Sequence, residues 1–117
     1  MRISLALFAF LALTAVACSG DSTGSSATDL CANSGAAVTV DVKEYAFTPS
    51  SVTITVGQSV CWANTGQMTH TVVEGVAGRF GGTLAPGQTL VHTFTFSENY
   101  GYYCSLHSTM TGTLKVN

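Results

Sequence analysis

The sequence predicts an all-β fold, a Greek-key β-sandwich or barrel of about seven or eight strands, and three observations carry that reading. Apolar and polar residues alternate over short runs, glycine and proline separate those runs, and no stretch keeps a long helical period. Val38, Val40 and Val42 open the alternation, and Val52, Ile54 and Val56 repeat it before the Gly57-Gln58 turn. Cys61 and Trp62 mark a core strand. Asn64 to Val72 reads as a strand end, a turn at Gly66 and a second strand beginning at His70. Glu74 to Gly87 holds five glycines and Pro86, so it reads as a long loop in place of a regular strand. Leu90, His92, Phe94 and Phe96 alternate along the next strand, which ends at a turn around Ser97 to Asn99. Tyr100 to Cys104 and Gly112 to Val116 are strand-like segments on either side of a short loop.

Three regions divide the 117 residues. Arg2, an apolar run from Leu5 to Leu13 and then Thr14-Ala15-Val16-Ala17-Cys18 read as a signal peptide over residues 1–17. The apolar run is too short to span a bilayer comfortably, and a polar tether, residues 18–29, follows it. The leader resembles a bacterial lipoprotein signal, which implies acylation of Cys18 and a membrane anchor there; ordinary cleavage to a soluble product is the alternative. Either route exports residues 30–117, one small domain, to the periplasmic or cell-envelope face. Charged residues are 9% of the chain and the net charge is -2, which leaves no footprint for nucleic acid.

The chemistry concentrates in Cys104-Ser105-Leu106-His107-Ser108-Thr109-Met110. A thiolate, an imidazole and a thioether on one short loop make a soft donor set. His70, at the start of its strand, supplies a second imidazole. Two His, one Cys and a weak axial Met suit one copper ion cycling between Cu(I) and Cu(II), as in a blue-copper electron-transfer site. Met68 is a rival thioether outside the loop. Zinc fits less well, because thioether is a poor partner for it and no carboxylate is placed to act as a base. His92 alternates with apolar residues and reads as a core or rim side chain. Three histidines in the whole chain cannot furnish the additional centres of copper oxidases or nitrite reductases, so an enzyme is not expected.

The wording around these residues extends the match. Trp62-Ala63-Asn64, His70-Thr71-Val72, Leu84-Ala85-Pro86-Gly87, Tyr100-Gly101-Tyr102-Tyr103-Cys104 and Gly112-Thr113-Leu114-Lys115-Val116 together resemble the plastocyanin-like cupredoxins, over about Val38 to Asn117. The step of two residues on each side of His107 is similar to the amicyanin branch. Ser108 stands where many relatives have proline, and Thr71 where plastocyanins have asparagine. The resemblance implies a type 1 copper protein, a monomer, that shuttles single electrons between redox proteins serving as donor and acceptor. It further implies that electrons pass through His107 at an apolar patch, with Leu84, Pro86 and Leu106 as its members. Thr71 is placed to hydrogen-bond near the Cys104 sulfur. A copper-storage or copper-delivery lipoprotein is the alternative function.

With Cys18 assigned to lipid and Cys104 to copper, Cys31 and Cys61 remain as a pair in a compartment that permits disulfides. Two free buried thiols are the other possibility.

Overall fold

The computed structural model describes residues 25–117, so the signal segment, Cys18 and the tether as far as residue 24 lie outside the described residues. The described chain forms nine strands: β1 (Val38–Lys43), β2 (Ala46–Thr48), β3 (Ser51–Ile54), β4 (Ser59–Asn64), β5 (His70–Glu74), β6 (Gly81–Leu84), β7 (Thr89–Thr93), β8 (Asn99–Cys104) and β9 (His107–Val116). They pack as a sandwich of two sheets, β2-β1-β4-β7 and β3-β9-β8-β5-β6. β1 runs parallel to β4 and β3 parallel to β9, because the chain changes sheet between these partners.

Alternation in sequence becomes alternation in burial. Tyr100, Tyr102 and Cys104 of β8 point inward, while Asn99, Gly101 and Tyr103 face out. In β9 the inward set is Met110, Gly112, Leu114 and Val116. Between the sheets Trp62 is fully buried, stacked on Phe80 at 5.5 Å and met edge-on by Tyr102 at the same distance. Such aromatic geometries contribute about 0.5–1.5 kcal/mol each beyond the area they bury. His92 is half-buried, its ring 5.3 Å from Phe80 and 4.7 Å from Phe94, and burial pushes its pKa down.

One strand breaks the alternation. β4 is buried on both faces, because a four-residue helix, α1 (Ala27–Leu30), lies against the outer side of its sheet. Ser26 and Asp29 cap that helix reciprocally, and Ala27, Leu30 and Ala36 cover Cys61 and Ala63. A disulfide between Cys31 and Cys61, with Cα atoms 6.1 Å apart, fastens the segment there. It rules out the free-thiol alternative for this pair.

Three expectations need correction. The segment from Glu74 to Gly87 is not one loop: Glu74 ends β5, and Gly81–Leu84 form an edge strand. Glycine permits that strand, since Gly81 has φ 150 and a β-carbon there would run into the Val72 carbonyl. Phe96 and Val56 match their strands in period but lie beyond their ends. β7 stops at Thr93 and β3 at Ile54, so both side chains are exposed. The added β6 and the three-residue β2 bring the count to nine.

The far end of β5 carries a buried carboxylate. Glu74 accepts hydrogen bonds from the N–H groups of Val76, Ala77 and Arg79 and pairs with the Arg79 guanidinium at 3.2 Å. Arg79 also pairs with Glu98 at 2.7 Å and lies over the Tyr100 ring. The guanidinium first, and then the backbone donors, outweigh burial and hold Glu74 at about 2. A carboxylate lowered on folding stabilises the native state above its ordinary pKa of 4.5, and that contribution disappears as pH falls toward 2. Glu74→Gln should therefore lower stability at neutral pH and flatten the acid limb of the stability curve; urea midpoints measured from pH 7 to pH 2 check this. Replacing Cys31 and Cys61 together by serine should cost about 2–4 kcal/mol, because the bridge closes a loop of 30 residues, and denaturant unfolding reads the loss.

Candidate metal centre

Three adjacent strands of the five-stranded sheet end together, and each brings one donor. β5 begins at His70, β8 ends at Cys104, and β9 begins at His107. His70 shares the inward face of β5 with Val72 and Glu74, and Cys104 shares that of β8 with Tyr100 and Tyr102. The alternation that fills the core thus also aims an imidazole and a thiol into it. His107 pairs directly with Cys104 across the turn Ser105-Leu106. The expected seven-residue loop is in fact a two-residue turn with Met110 already inside β9, because antiparallel pairing resumes at His107.

The Cys104 sulfur lies 3.9 Å from Nδ1 of His70 and 3.5 Å from Nδ1 of His107, and the donor atoms of all three residues lie within 4.8 Å of one another. A nitrogen and a sulfur bound to one ion at about 2.0 and 2.3 Å, splayed by about 120°, stand about 3.7 Å apart. The spacing therefore fits a single ion between the three atoms. Nδ1 of His70 is the nitrogen that faces the sulfur, while its Nε2 is buried without a hydrogen-bond partner among the described residues. His70 and Cys104 are fully buried, whereas His107 is half-buried. Met110 is also fully buried, in the core cluster that contains Cys104.

Thr71 lies against the sulfur. Its N–H donates to Cys104 Sγ at 3.4 Å, and its hydroxyl oxygen is 3.7 Å from the same atom. That oxygen accepts from the Ser105 N–H at 2.7 Å and shares a 2.8 Å hydrogen bond with the Ser105 hydroxyl. Burial pushes the Cys104 thiol up, but the Thr71 N–H, His70, the Leu106 N–H and His107 outweigh it and bring the pKa down to about 6. The sulfur is thus a thiolate at neutral pH, the form that binds metal.

Asn64 has a task that the sequence pattern does not reveal. Its amide donates to the carbonyls of Met68 and Leu84 at 2.8 Å each, and its oxygen accepts from the Gly66 N–H. One buried side chain therefore ties the turn before His70 to β6 on the other side. An asparagine two residues ahead of Gly66, able to bond the turn's own backbone, was the available signal for the turn. His92 lies outside the donor group. Of the apolar patch expected at the site, Leu106 and Pro86 are exposed, but Leu84 is 2% exposed. Its register opposite His70 turns it into the core, and it is no surface residue.

Residues 34–117 match the copper binding proteins of the plastocyanin/azurin family, and the chain belongs to that family. Its cofactor is one copper ion, and the His70, Cys104 and His107 donors are the group that fits it. Among relatives, a plastocyanin from Scenedesmus fuscus is 35% identical over 83 residues, covering 60% of this chain and 85% of its own. The structure is similar to a reduced amicyanin variant, with TM-score 0.63 and 30% identity over 72% of this chain and 84% of that one. It is also similar to a purple cupredoxin from Nitrosopumilus maritimus, with TM-score 0.56 and 30% identity over 61% and 81% of the two chains.

The lowered thiol makes a direct forecast for the metal-free protein. Ultraviolet thiolate absorbance should persist at neutral pH and titrate away near pH 6, well below an unperturbed thiol at 9.0. Cys104→Ser should remove that transition.

Proposed function

We propose that this protein is a type 1 copper carrier that shuttles single electrons between a donor and an acceptor redox protein outside the cytoplasm. The observation that carries the reading is a cysteine sulfur set between two imidazoles, of which one is buried and the other reaches the surface. Copper bound there supplies a one-electron couple. Cys104, His70 and His107 would hold it, with Met110 as a further, weaker donor. Complete burial beside Cys104 in the core favours Met110 over Met68, which is 40% exposed. Donors seated on strand ends and locked by Asn64 and Thr71 hold one arrangement through both oxidation states, so the protein reorganises little. Thr71 stabilises charge on the sulfur through its N–H and orients the turn through Ser105.

His107 is the route for electrons, with Leu106 and Pro86 beside it on the exposed end. A monomer is sufficient for this role, and the protein acts as a carrier rather than an enzyme. Export followed by anchoring through Cys18 is supported by the leader pattern at residues 1–18. A copper store or delivery protein would instead use exposed clusters of Met or His, and three Met and three His in the whole chain offer little for one.

Copper loading tests the reading. The Cu(II) protein should show an intense thiolate-to-copper absorption band and a reversible one-electron voltammogram. Cys104→Ser should abolish the band, while Met110→Leu should keep it and raise the reduction potential, since loss of a weak donor disfavours Cu(II). A colourless copper complex with the wild-type sequence would sink the proposal.

A further inference from the structure

The two-residue turn Glu44-Tyr45 joins β1 to β2 and calls for a left-handed residue, yet a tyrosine rather than glycine stands there. Tyr45 is the only non-glycine residue among the described ones with positive φ, at 66. A bulky side chain in this left-handed region is disfavoured sterically, and glycine or asparagine is the usual occupant. Burial does not compensate, because Tyr45 is 61% exposed. Its ring nevertheless has a defined partner. It stands edge-on to the His107 imidazole, with centroids 5.2 Å apart and planes at 83°, inside the range of favourable aromatic contacts.

The preceding residue pins the same turn to the other ligand-bearing segment. The Glu44 carboxylate accepts from the N–H groups of Gln67 and Met68, in the turn that leads into His70. Gly66 makes room for it, since a β-carbon there would strike the Glu44 carboxylate. Glu44 and Tyr45 therefore bridge from β1 to both histidine-bearing segments. His107 needs such a contact more than His70 does. His70 is enclosed by the core, but His107 is half-buried at a two-residue turn, and Ser108 after it lacks the backbone restraint of a proline.

We propose that Tyr45 is a positioning residue that clamps the His107 imidazole at the surface end of the copper site. Tyrosine rather than glycine occupies the left-handed position because it delivers its ring to that contact, at a steric cost of the kind found at functional sites. This role rests on the copper-carrier reading, since a held imidazole matters where electrons cross it.

The test reads the ring itself by NMR in the full chain, first without copper and then as the Cu(I) form. In the wild type and in Tyr45→Phe the His107 ring protons should be displaced by the neighbouring aromatic ring and give one narrow set. In Tyr45→Ala and Tyr45→Gly that displacement should be lost and the lines should broaden. Tyr45→Gly should do so without lowering the melting temperature, because glycine relieves the left-handed backbone while removing the clamp. Unchanged His107 resonances in Tyr45→Gly would overturn the proposal. So would a lower melting temperature there, which would make Tyr45 a residue of the turn alone. The copper-free measurement is independent of the blue band, so a colourless wild type with a clamped ring would reject the carrier reading and not the contact.

Discussion

The metal end of this protein depends on the Cys104 sulfur being a thiolate inside a core that ought to exclude charge. Burial alone would keep the proton on. The Thr71 N–H and the two imidazoles counter it, bringing the thiol down to about 6. Each of those groups is in place only because β5, β8 and β9 are neighbours in one sheet and end together. The site is therefore a property of strand register. A slip of one residue in β8 would turn Cys104 outward together with Tyr100 and Tyr102, and core and metal centre would be lost as one.

β5 shows how a small sandwich tolerates polar groups in its interior. Its inward face reads His70, Val72, Glu74, so a polar side chain lies at each end and an apolar one between. At one end His70 faces the copper donors. At the other, three backbone N–H groups and Arg79 satisfy Glu74. The Glu74 carboxylate is thus compensated, and the strand serves a site at one end while it braces a distant loop at the other.

Fastening at the outer face of β4 completes the support. Trp62 fills the inside, while Cys61 and Ala63 on the outside are covered by α1 and held by the disulfide to Cys31. β4 ends at Asn64, whose amide braces the turn before His70. Rigidity around the copper thus draws on contacts well away from it, including a segment that precedes the first strand.

Much of the centre was legible in the sequence, because ligand chemistry is local. Cys104 and His107 stand three residues apart, and the alternation of His92 with apolar neighbours leaves His70 as the second imidazole. The strands with clean alternation were legible for the same reason, since period two records which face meets the core. Strand ends were less so, as Phe96 and Val56 show, because alternation does not say where pairing stops. The strand Gly81–Leu84 was hidden because glycine has no side chain to mark a face, and Leu84 was misread as a surface residue with it. Long-range partners were hidden for another reason. Neither the tie from Thr71 to Ser105, nor the reach of Asn64 to Leu84, nor the contact of Tyr45 with His107 has any signature in chain spacing. The sequence alone determined the His-Cys-His group, its suitability for copper and the all-β class, since these follow from residue type and short-range period. Only the tertiary structure decided which groups hydrogen-bond the sulfur, which ring stands against His107 and what Asn64 ties together, because those depend on residues brought together from distant parts of the chain.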